Sequence, residues 1–139
     1  MRFLIFLCVL LVPLLASADS LITSIEVIPA HPEPMEPVLI RVSGSMPNGC
    51  WSLGDVGDHD FMLIDVSGPG IDCTAVIVPF TVEFELGGLA EGFHWYLIRE
   101  THDSLYDPGT WSEQVEFQVG NPPTANEART WSILKALYR

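Results

Sequence analysis

The sequence predicts an all-β chain, an antiparallel β-sandwich of about seven strands followed by a short C-terminal helix. Three observations carry that expectation. Apolar and polar residues alternate with period two through a series of short runs, the pattern of strands with one wet face. Glycine- and proline-containing turns separate the runs, and no stretch before residue 121 carries a convincing helical repeat. Two cysteines, Cys50 and Cys73, lie in this region, as expected of a small exported domain closed by one bridge.

Export is itself a reading of the first residues. Arg2 precedes an apolar run from Phe3 to Leu15 that only Pro13 interrupts, and Ala16-Ser17-Ala18 supplies small residues for a peptidase. This predicts a signal peptide over residues 1–18, cleaved before Asp19. The run is shorter than the roughly 18 apolar residues that a membrane span needs. Cys8 falls too early in it to mark lipoprotein processing and reads as ordinary signal sequence. The destination expected is periplasmic, cell-surface or extracellular.

The remaining chain, 19–139, is long enough for one core and too short for two. It divides by texture into a body over 19–120, a linker over 121–126 and a tail over 127–139. Without Arg2, five basic residues face 18 acidic ones, a net charge of −13. The body alone has Arg41 and Arg99 against 17 carboxylates, a net of −15; the tail has Arg129, Lys135 and Arg139 against Glu127, a net of +2. So acidic a body argues against nucleic acid and against adsorption on an anionic membrane.

The elements follow in order. Ile22 to Ile28 reads as a strand, and the proline-rich stretch Pro29 to Pro37 as an extended connector or kinked edge. Val38 to Ser43 alternates cleanly. Cys50 to Leu53 is a short strand, Gly54 to Asp60 a polar loop, and Phe61 to Val66 another strand. Cys73 to Val78 begins the next β region, which Pro79 breaks or bulges. In Thr81 to Leu86, Val82, Phe84 and Leu86 face one way while Thr81, Glu83 and Glu85 face the other, a half-buried strand. After Gly87-Gly88 comes Phe93 to Glu100, and Val115, Phe117 and Val119 mark the inward face of the last strand. In the tail, Asn126 suits an N-cap, and Trp131, Leu134 and Tyr138 share one helical face with Leu137 beside them.

One stretch is pattern-like. Leu86 to Ile98, Leu-Gly-Gly-Leu-Ala-Glu-Gly-Phe-His-Trp-Tyr-Leu-Ile, resembles a segment of fibronectin-type-III and other immunoglobulin-like modules of bacterial surface and secreted proteins. The resemblance implies an immunoglobulin-like sandwich over roughly Ile22 to Gly120. In that pattern Gly92 turns the chain into the penultimate strand and an aromatic residue two positions later packs at the corner. Here that position is His94. The tail ending Trp131 to Arg139 is similar to short C-terminal tails of secreted bacterial proteins, which makes Trp131, Leu134, Lys135, Tyr138 and Arg139 a candidate handle for export or attachment machinery.

Candidate sites are few. Asp55, Asp58 and Asp60 share one glycine-containing loop, and clustered carboxylates are what calcium requires, but the spacing is not that of an EF-hand. A solvated acidic loop is the favoured reading. His59, His94 and His102 would suit a transition metal only if they converged. No nucleophile elbow or Ser/His/Asp set announces catalysis, and no cofactor is expected. On Phe93 to Glu100, one face carries His94, Tyr96 and Ile98 and the other Phe93, Trp95 and Leu97. If the first faces the core, the second forms an apolar patch able to receive a partner, unless the chain's own tail or a loop covers it. The expected function is therefore a secreted, non-catalytic immunoglobulin-like module that binds or supports a protein or glycan. The alternatives are a carbohydrate-binding module using Trp51, Trp95 or Trp111, and a small periplasmic enzyme or metal-handling protein.

Overall fold

The computed structural model describes residues 19–121; the expected signal peptide, the rest of the linker after Asn121 and the tail lie outside the described residues. Seven strands run in chain order: β1 (Ile22–Ile28), β2 (Pro37–Met46), β3 (Trp51–Val56), β4 (Asp60–Asp65), β5 (Val78–Gly88), β6 (Gly92–Asp103) and β7 (Gly109–Val119). They form a three-stranded sheet, β1-β2-β5, and a four-stranded sheet, β3-β4-β6-β7. The described residues contain no helix.

The alternation seen in the sequence decides what each sheet buries. From β2 come Val38, Ile40, Val42 and Met46, and from β5 Phe80, Val82 and Phe84. The four-stranded sheet answers with Trp51, Phe61, Leu63, Ile98 and Val115, so that both inner faces share one core. Each fully buried side chain of this size stabilises the fold by about 1.5–3 kcal/mol. Gly44 on β2 is a packing requirement, since a Cβ there would lie 2.3 Å from both Leu21 O and the Phe80 ring.

Three expectations need correction. The sandwich is not wholly antiparallel, because β4 pairs with β6 in parallel register, Asp60 opposite Arg99 through Ile64 opposite Asp103. The chain leaves β4 for the other sheet, reverses along β5 and returns as β6, so β4 and β6 run the same way. Second, no strand begins at Cys73; the connection over 66–77 is irregular and β5 starts at Val78. Third, Pro79 does not interrupt β5. It lies opposite Ser45 on an edge strand, where a missing N–H breaks no ladder.

The long connection is held from outside. Cys50 and Cys73 form a disulfide with Cα atoms 5.2 Å apart, and Gly49 N–H donates to Thr74 O at 2.9 Å beside it. A bridge of this kind is compatible with an oxidising compartment. No helix among the described residues is long and apolar enough to cross a membrane.

The turn into β6 keeps part of its anticipated form. Gly92 has φ 136, a conformation that side chains resist. The His94 imidazole donates from Nε2 to Ala90 O at 2.8 Å, so a histidine fastens the corner to the backbone four residues upstream.

Candidate functional site

The β6 pleat separates its side chains into two sets. His94, Tyr96, Ile98, Glu100 and His102 point inward; Phe93, Trp95 and Leu97 point out, 52%, 62% and 42% exposed. Across the ladder they face Gln118, Glu116 and Gln114 of β7. At a rise of about 3.4 Å per residue the three make an apolar row roughly 13 Å long.

One end of this row falls into a cleft. Asp58, His59, Asp60, Leu97 and Arg99 line a shallow space of about 360 Å³ where β4 begins. The β3–β4 hairpin closes there, with Gly57 N–H donating to Asp60 O at 2.8 Å. Arg99 N–H donates to His59 O at 2.9 Å, just before the β4–β6 pairs begin. From Gly92 to Ile98, β6 therefore pairs with β7 alone among the described residues.

A different chemistry occupies the other half of β6. Glu100 is 0% exposed, and its carboxylate accepts from the Ser20 hydroxyl at 2.6 Å and Leu21 N–H at 2.9 Å. His102 Nε2 lies 2.5 Å from Glu100 Oε1, while its ring packs against Trp51 and Trp111 at centroid distances of 5.0 and 4.2 Å. His102 Nδ1 is buried without a hydrogen-bond partner, and Asp107 Oδ2 stands 3.8 Å from it. Nearby, Asp65 accepts from the Ser67 hydroxyl, Ser67 N–H and the Ser104 hydroxyl. Burial raises the Asp65 pKa, and those three hydrogen bonds outweigh it, leaving the carboxyl below its ordinary value. This network fastens the chain entry and the β6–β7 connection to the core.

The structure disperses several of the residues singled out from sequence. Asp60 lies at the first β4–β6 pair, and its carboxylate turns back over Gly57. Asp58 lines the cleft and Asp55 sits on β3. Among the described residues no group of three or more His, Cys, Asp or Glu is placed to hold a metal ion. His59 packs near Tyr96 and Phe84, His94 against Phe117, and His102 in the buried network, so the three do not converge. Of the three tryptophans proposed for glycan stacking, Trp51 is buried, Trp111 points inward beside His102, and Trp95 lies on the outer face. The tail residues Trp131, Leu134, Lys135, Tyr138 and Arg139 lie outside the described residues.

Sequence reasoning missed Glu100, Asp65, Ser104 and Ser20, which read as part of a uniformly acidic and polar surface. Parity was the available signal: with Ile98 facing inward, Glu100 and His102 must follow it. Compared with known proteins, the chain matches no family profile, no curated protein and no solved structure.

Proposed function

We propose that this chain is a secreted, non-catalytic immunoglobulin-like module of the cell envelope or extracellular space, and that it binds a partner through the outer face of β6. The observation carrying this reading is the row Phe93, Trp95 and Leu97, three large apolar side chains exposed side by side on one strand. Such a row supplies contact area that costs little side-chain entropy to order. The immunoglobulin-like assignment draws on the Leu86 to Ile98 pattern and the corner formed by Gly92 and His94; the parallel β4–β6 pair is a departure from the antiparallel sheets of that fold. Export draws on the leader pattern and the Cys50–Cys73 bridge. The tail, with its opposite charge, serves as a handle for export or attachment machinery.

A carbohydrate partner remains the second reading, because the Trp95 ring alone is 62% exposed and every sugar ring has an apolar face. The test is capture from native culture medium, alongside a glycan array, by the wild type and by Trp95→Ala. A partner or glycan held by the wild type and lost by Trp95→Ala at unchanged melting temperature supports the reading. Equal capture by both proteins overturns it.

A further inference from the structure

The turn between β2 and β3 contains two residues whose order in the chain matters chemically. Asn48 is followed by Gly49, and of the three asparagines in the sequence, Asn48, Asn121 and Asn126, it alone precedes glycine. An asparagine side chain loses its amide by cyclising onto the next backbone nitrogen, and a glycine there, with no side chain, hinders the approach least. The turn nevertheless requires both residues. Asn48 Oδ1 accepts from Cys50 N–H at 2.9 Å, and Trp51 N–H donates to Asn48 O at 3.3 Å. A Cβ on Gly49 would run into the Thr74 hydroxyl, so no larger residue fits.

The folded turn restrains each group that cyclisation must move. The Asn48 amide carbon has to swing onto Gly49 N, but its oxygen is turned forward to Cys50 N–H. Gly49 N has to give up its proton, but its N–H is engaged by Thr74 O at 2.9 Å. Thr74 lies in the irregular connection over 66–77, where no ladder fixes its position. Its neighbour Cys73 does so instead, bridged to Cys50 with Cα atoms 5.2 Å apart. Water already reaches the pair, since Gly49 and Thr74 are exposed and Asn48 is half-buried. Geometry, and not a lack of solvent, is what holds the reaction back.

We infer that Asn48–Gly49 is a modification site gated by the Cys50–Cys73 bridge, protected while the bridge stands and deamidated once a dithiol reduces it. The dithiol supplies two electrons and two protons, leaving Cys50 and Cys73 as thiols and itself as a disulfide. Thr74 O then moves off Gly49 N–H. The freed nitrogen attacks Asn48 Cγ, its proton and the side-chain amino group leave together as ammonia, and a succinimide ring remains. Water opens that ring at either carbonyl, giving aspartate or its β-linked isomer at position 48. Re-oxidation restores the disulfide but not the amide, so a reductive event leaves a permanent mark in the turn. The inference is independent of what β6 binds.

The experiment uses the full chain from residue 19, held at neutral pH in bridged form, reduced by a dithiol, and as the double variant Cys50→Ser, Cys73→Ser, which needs no reductant. Peptide mapping by mass spectrometry reads conversion of amide to acid at residue 48. The reduced protein and the double variant are expected to convert about tenfold faster or more than the bridged protein, in proportion to the time Gly49 N–H spends released. Equal rates in bridged and bridge-free protein, or no conversion at residue 48 in any form, overturn the inference. Amide exchange read by NMR separates local release from general unfolding. Exchange at Gly49 is expected to speed up on reduction while Ile40 and Val42, on the central strand β2, stay protected. An equal rise at all three positions means that the whole domain opens, and it overturns the bridge as a local guard even where conversion is fast.

Discussion

The Glu100 carboxylate and the His102 imidazole meet 2.5 Å apart, two residues along one strand, and neither side chain touches solvent. The same carboxylate receives the Ser20 hydroxyl and Leu21 N–H, so one buried acid organises the chain entry and β6 together. Buried polar groups cost most when one partner is taken away, because the others are left unsatisfied.

Glu100→Ala is therefore expected to destabilise the fold by about 3 kcal/mol or more. For a domain of this size that is a fall in melting temperature of roughly 15 °C. Glu100→Gln keeps an acceptor and should lose less. Thermal unfolding followed by circular dichroism measures both, and an unchanged midpoint for Glu100→Ala would show that the network adds nothing to stability.

The Cys50–Cys73 bridge closes a separation of 23 residues that includes β3, β4 and the irregular connection after them. Restricting the unfolded chain in this way contributes about 3 kcal/mol. The double variant Cys50→Ser, Cys73→Ser should unfold at lower urea with its β signature intact. Mass spectrometry without reductant should find no free thiol among these two.

Asp65 predicts an acid-sensitive component of stability. Its folded pKa is depressed, so its contribution is complete above the unfolded value of about 4 and disappears as pH falls through the folded value. Asp65→Asn should flatten the loss of stability below about pH 4. Urea midpoints of both proteins between about pH 5 and pH 2 provide the measurement, and parallel profiles would contradict the assignment.

If the tail serves as the proposed handle, deleting Glu127 to Arg139 is expected to leave the melting temperature within about 2 °C, since the helix its sequence predicts would be marginal in water by itself. The same deletion should change where the protein accumulates in its native host. A truncated protein that localises normally and melts several degrees earlier would make the tail part of the fold.

Much of the fold was legible because period-two alternation is a strong signal when one face of a sheet is wet. Val82 and Phe84 inward against Glu83 and Glu85 outward follow from the sequence alone, as does the division of Tyr96 and Ile98 from Trp95 and Leu97, but which of those two β6 faces turns inward is settled only by the folded sheet. Neighbour relations were not legible, since nothing local in Asp60 to Asp65 tells that it will lie parallel to β6. Proline weighed too heavily at Pro79, because only the finished sheet shows which strand is an edge. Composition misled at Glu100, where one buried carboxylate hid among 18 acidic residues.

The chain enters the described fold at Leu21, held at the level of Glu100, and leaves it where Val119 lies opposite Gly92. Eight residues of β6 separate those levels, roughly 26 Å of strand. β1 runs from the first level towards the second, and Gly120 N–H meets Pro32 O at the far end. A pull on residues 19 and 121 would therefore load the sandwich lengthwise. β1 would slide along β2 and β7 along β6, with all the rungs of each ladder sharing the force at once instead of opening singly. As a link between an anchor and a load, the domain would resist tension in shear and hold its two attachments at opposite ends.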